Sequence, residues 1–118
     1  MMAAAQDTVL VNEPVYVVVP VMPEFPGGHA ALVRYLSENV HYPDDAASEG
    51  VEGRTICHFI VDKEGLIRDV EVTRTAGHPS LDKEAVRVIK AMPRWKPGTQ
   101  KNGNTVNVRY TLPVNFSL

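Results

Sequence analysis

Four histidines, one cysteine and fourteen acidic side chains are the residues with which this chain could do chemistry. His29, His41, His58 and His78 fall at no metal-ligand spacing within a single element. His29 follows Gly27-Gly28 near an expected helix start and reads as a solvated residue, and His58 reads as a structural residue on a strand. Asp44-Asp45 is an adjacent carboxylate pair, but a Ca²⁺ site needs more oxygen ligands in a defined loop than this segment offers. Asp62-Lys63-Glu64-Gly65 resembles the opening of a Ca²⁺ loop only superficially, and a hairpin turn accounts for it. Cys57 lies in an apolar-rich run, so a buried, inert thiol is expected; as the lone cysteine it has no intramolecular partner. Serine-hydrolase, zincin, CxxC, P-loop and dinucleotide-binding motifs are all missing. No catalytic residue, metal site or cofactor is assigned, and an enzyme is not expected. What remains is backbone chemistry. An edge strand carries unpaired N–H and C=O groups that accept an extended peptide as one more strand. The plain alternative is an edge protected by Arg109, Pro113 and twist.

The elements that would build such an edge follow from periodicity. Residues 8–28 hold Pro14, Pro20, Pro23 and Pro26 around a β-branched run, Val15 to Val19, and read as an extended lead-in that precedes the domain proper at 29–118. Residues 1–7 read as the tail of a trimmed export signal or a cloning remnant. Leu32, Tyr35 and Leu36 give one apolar stripe, so a helix is expected from about His29 to Asn39, with Pro43 forbidding its continuation. Ala46 and Ala47 suit one further helical turn. Arg54 to Asp62 alternates with both sets largely apolar, which predicts a central strand covered on both faces. Leu66 to Arg74 follows across a short turn as the second arm of a hairpin. Pro79 at the first helical position and Asp82 in the first turn open a second helix, with Leu81, Ala85, Val88, Ile89 and Met92 on its apolar face and Pro93 as its stop. Asn102-Gly103 is the best tight-turn signal in the chain. Val106, Val108, Tyr110 and Leu112 then alternate with Thr105, Asn107, Arg109 and Thr111. Pro113 has no N–H to give, which places that end of the strand at a sheet edge. The expected class is α+β, with two helices on a small three-stranded antiparallel sheet.

Composition agrees with a single soluble-type domain: 118 residues, 44% hydrophobic and 22% charged. The longest apolar run, Val15 to Val19, is too short to span a bilayer. A net charge of −2 argues against general nucleic-acid binding. The charge is uneven, with 5 Lys/Arg against 13 Asp/Glu in residues 1–82 and 7 Lys/Arg against Glu84 alone in 83–118. A basic C-terminal third is compatible with an acidic partner, and equally with an ordinary two-signed surface.

Several short motifs, in order, resemble the TonB C-terminal domain. They are Tyr42-Pro43, Ala46-Ala47, Gly50-Val51-Glu52-Gly53-Arg54, Phe59-Ile60-Val61-Asp62 with Gly65, Leu81-Asp82-Lys83-Glu84-Ala85, and Trp95-Lys96-Pro97-Gly98 with Asn102-Gly103. The lead-in Pro23-Glu24-Phe25-Pro26-Gly27-Gly28 resembles the form common in Bacteroidetes-type members. The resemblance implies a periplasmic domain that captures the TonB box of an outer-membrane transporter by strand addition and couples inner-membrane energy to transport. It implies a docking strand at Thr105, Val106, Asn107, Val108, Arg109, Tyr110, Thr111 and Leu112, and further contacts from Asn39, Val40, His41 and Tyr42. A glutamine often stands where this chain has Asn39. A proline at Val108 is the expected way to abolish capture. The membrane anchor and Pro-rich spacer of complete members do not occur in these residues, so ExbB/ExbD enter as partners only through an anchor outside this chain. The alternatives are a homodimer formed through the same edge and a sensor-linked interaction module.

Overall fold

The computed structural model describes residues 13–118, so the reading of residues 1–7 lies outside it. The order of elements is β1 (Val15–Tyr16), α1 (His29–Asn39), α2 (Asp44–Ser48), β2 (Gly53–Val61), β3 (Ile67–Arg74), α3 (Pro79–Lys90), β4 (Gly98–Thr99) and β5 (Thr105–Phe116). The class is α+β, as the alternation and periodicity predict. The sheet is larger and mixed: its order is β1-β5-β2-β3, with β4 also paired to β5. The three-stranded antiparallel expectation therefore missed β1, which runs parallel to β5, and β4, which closes the hairpin through Asn102-Gly103. Each is two residues long, and two residues cannot display a period.

β2 and β5 form the spine, registered without interruption from Gly53–Phe116 to Val61–Val108. Thr55, Cys57, Phe59 and Val61 face the helices, as do Leu112, Val114 and Phe116, and all are buried. α3 supplies Leu81, Ala85, Val88 and Ile89 to this interior, and α1 supplies Leu32. Trp95 is packed among Phe25, Phe59 and Tyr110, with ring centroids 5.8, 5.6 and 5.0 Å away. Phe25 and Val19 are buried too, so the lead-in packs onto the domain rather than trailing from it. The β2–β3 turn is held to this cluster by backbone: Trp95 N–H donates to Gly65 C=O at 2.8 Å. A Cβ on Gly65, whose φ is +87°, would lie 2.0 Å from the Trp95 carbonyl oxygen.

Among the described residues no second layer covers the opposite face of β2. Ile56 and His58 are partly exposed, and only Ile60 is buried there. Register places Arg68 and Arg109 on either side of Ile60. The central strand is thus covered on one face, which corrects the expectation of burial on both. His58 takes Glu71 of β3 at 2.7 Å, a cross-strand partner that makes a polar residue tolerable at this half-open position.

Candidate strand-docking edge

The structure gives β5 two different outer margins. Val108 is paired on both sides, with Val61 of β2 and Tyr16 of β1. Asn107 lies beside Val15, and Val106 and Thr105 lie beside Gly98 and Thr99 of β4. From Arg109 to Phe116, no strand among the described residues pairs with the outer side. The eight expected docking residues are divided by these pairings. Thr105, Val106, Asn107 and Val108 already serve the chain's own strands, while Arg109, Tyr110, Thr111 and Leu112 begin an open stretch that continues past Pro113. A proline at Val108 would break the fold's own pairing and cannot test docking.

The backbone groups facing out along this stretch follow from one contact. Thr73 Oγ1 of β3 donates to the Ile56 carbonyl at 3.1 Å, so the peptide groups of Ile56 face β3. Those of Thr55 and Cys57 then face β5, where their register partners are Val114 and Leu112. Arg109, Thr111, Pro113 and Asn115 consequently turn their peptide groups outward. Pro113 sits where its missing N–H costs β2 nothing.

Beside this margin lies an open groove of about 520 Å³, walled by α1 and by residues 112–117 of β5 and its end. Leu32, Val33, Leu36 and Val40 line one side, and Leu112, Val114 and Phe116 line the other, with Tyr42 at the end. Val33 is 53% exposed, although it stands at helical spacing with Leu36 and Val40. The apolar stripe of α1 is therefore wider than the interior it covers. Val33 and the β5 residues after Leu112 were not among the expected site residues. The signals were present in the 33–36–40 spacing and in the alternation of Val114 and Phe116 beyond the proline.

The segment from Asn39 to Tyr42 is divided by the structure. Val40 and Tyr42 line the groove. Asn39 turns back on its helix, donating from Nδ2 to Tyr35 C=O at 2.8 Å. His41 is fixed from behind, its N–H donating to Glu84 Oε2 at 2.7 Å, while Arg87 donates to the Asn39 carbonyl at 2.9 Å. Glu84 and Arg87 are themselves paired twice at 2.7 Å. The Arg87 hydrogen bonds hold the Glu84 carboxyl below the usual range, against partial burial and with help from the His41 N–H. At the far end, Tyr42 donates its hydroxyl to Val51 C=O, and its ring meets Phe116 edge-on at 5.8 Å. Burial pushes that phenol up, with the Glu52 charge adding to it. α3 thus sets the position of the groove's end wall.

The residues weighed for other chemistry are used structurally. His78 caps α3, its Nδ1 accepting from Ser80 N–H at 3.1 Å. Asp45 accepts from Ser80 Oγ at 2.6 Å and Ala46 N–H at 2.8 Å, and these bonds keep its carboxyl low. Asp62 Oδ1 accepts the N–H groups of Glu64 and Leu66, each at 2.9 Å, which makes the 62–65 segment a hairpin turn. Cys57 is fully buried, and burial followed by the Asp82 charge pushes its thiol up to about 11. Among the described residues no group of three His, Cys, Asp or Glu side chains could hold a metal ion.

Residues 38–118 match the family model for the Gram-negative bacterial TonB protein C-terminal region. The chain belongs to this family. Protein TonB of Pseudomonas putida is 28% identical over 89 residues, covering 73% of this chain and 35% of that protein. Protein TonB of Xanthomonas campestris is 32% identical over 92 residues, covering 75% of this chain and 40% of that protein. The chain spans well under half the length of these relatives. The solution structure of the Helicobacter pylori TonB C-terminal domain superposes with a TM-score of 0.58 at 21% identity, covering 74% of this chain and 77% of that one. That likeness establishes a shared fold. The TonB family match begins at Glu38, so β1 and most of the α1 wall lie outside it. No helix among the described residues is long and apolar enough to cross a membrane.

Proposed function

We propose that this chain is the receptor-binding end of a TonB-type energy transducer in the periplasm. It captures the TonB box of an outer-membrane transporter by strand addition on Arg109–Phe116. The observation that carries the reading is an unpaired strand margin lying beside an apolar groove, in a chain of the TonB family. The outward peptide groups supply affinity, and alternate side chains entering the groove supply selectivity. Coupling to the inner membrane would pass through ExbB and ExbD, by way of an anchor outside these residues. The domain itself acts by binding, not by catalysis.

The test is an NMR titration of residues 13–118 with synthetic TonB-box peptides from transporters of the same organism. Shifts at Arg109–Phe116 together with Val33, Leu36 and Val40 are expected. Shifts confined to β3, or none with a folded sample, would overturn strand capture at this edge. Light scattering on the same samples reads the alternative: a homodimer whose mass is insensitive to peptide would assign the margin to self-association.

A further inference from the structure

We propose that Arg109 and Arg54 make the docking margin selective for a segment that alternates apolar and outward-facing residues and carries two acids six residues apart. The inference rests on the docking reading above. β1 stops at Tyr16–Val108, a parallel pair that engages the peptide groups flanking Val108, so the open margin begins at the Arg109 carbonyl and runs to Phe116. That length holds a segment of about 27 Å.

Side chains of an added strand share faces with the β5 residues they oppose. Those opposite Leu112, Val114 and Phe116 point into the apolar groove. Those opposite Arg109, Thr111, Pro113 and Asn115 point to the uncovered sheet face. Arg109 is exposed at one end of that row. At the other end Arg54 of β2 lies directly opposite Asn115 and donates from Nε to Asn115 Oδ1 at 2.8 Å, which sets its guanidinium beside the last outward residue of the row. Neither guanidinium has a carboxylate at ion-pair distance among the described residues. Two unneutralised cations therefore mark the ends of the outward row, Arg109 within it and Arg54 beside Asn115, about 20 Å apart along the strand. Because they mark both ends, the six-residue spacing holds whichever way the segment runs.

The test uses two synthetic peptides that keep valine at the groove-facing positions and threonine at the outward ones, with either Glu or Lys at the two outward positions six apart. Binding is read by fluorescence anisotropy at low salt. On the wild type the Glu peptide should bind about tenfold more tightly than the Lys peptide, the sum of two cross-strand charge effects. Arg109→Glu should lower Glu-peptide affinity about fivefold and raise Lys-peptide affinity by a similar factor. Both differences should shrink as salt is added, since these charges are exposed. Arg109 is exposed, so an unchanged circular dichroism spectrum verifies the fold of the variant. Equal binding of both peptides to wild type and variant would overturn the charge selectivity while leaving strand capture intact. Binding of neither peptide, with transporter-derived boxes also inactive, would instead overturn the docking reading.

Discussion

One sheet ends in two unlike margins. β3, on one side, is exposed but irregular. Its register to β2 slips between Ile56 and Cys57 and again between His58 and Ile60, and Asp69 in the second slip has a φ of 53°. Arg68, Asp69, Glu71 and Arg74 line it with charge. These are the devices by which proteins prevent a strand from recruiting another chain. β5, on the other side, keeps an unbroken register with β2, and its open part carries one charge, Arg109, in eight residues. An apolar groove lies beside this margin. The contrast teaches that the fold blunts one edge and leaves the other usable.

Three measurements would break or sharpen that contrast. The largest effect is expected from Thr111→Pro. The Thr111 N–H faces outward, so the variant should fold and yet lose about tenfold in box-peptide affinity, the cost of one absent ladder bond and its distortion. Full affinity in a folded variant would mean that docking does not use this rung. Next comes a matched pair of valines. Val33→Glu, on the groove wall, should weaken binding about fivefold by placing a charge against an apolar ligand face, whereas Val72→Glu on β3 should leave it unchanged. Equal effects would erase the distinction between the margins. The smallest effect concerns the anchoring of the groove's end. Glu84→Gln should cost about 1–2 kcal/mol of stability, discounted for the exposed Arg87, and weaken binding about threefold. Its acid limb carries a sign. The Glu84 pKa is lower folded than unfolded, so its contribution is complete above the ordinary glutamate range and is lost as pH falls through the folded value. Denaturant titrations of wild type and variant should therefore converge in acid, and a constant difference across pH would remove Glu84 from this role.

Local signals were enough for much of this fold. The helix His29–Asn39 coincides with the expected bounds, and Pro79–Lys90 starts at the expected proline but ends two residues before Met92, which was expected on its apolar face. The β2–β3 hairpin also follows from alternation and Gly65. What escaped was long-range. Nothing near Thr105 announces that Val15 and Tyr16 will pair with Asn107 and Val108, more than ninety residues away in sequence. An edge is defined by the absence of a neighbour, and absence has no local pattern. The same reason moved the open margin toward Phe116. In the 39–42 segment, alternation of an extended chain sends Val40 and Tyr42 to the groove and leaves Asn39 and His41 to other partners, and no spacing rule gives the phase of that alternation.

The parallel pairing of β1 also bears on how the fold meets a pull. Tension drawn through Glu13 along the strand axis meets the β1–β5 ladder and the Glu13–Lys63 contact at 2.7 Å in shear, so that these bonds are loaded together rather than peeled one by one. Behind them the Val21–Thr99 and Glu24–Lys96 bridges hold the lead-in to β4 and to the loop before it. A segment docked on Arg109–Phe116 would lie on the same side of β5, in line with β1. Load would then pass between them along β5, a strand clamped along its other side by nine registered pairs with β2.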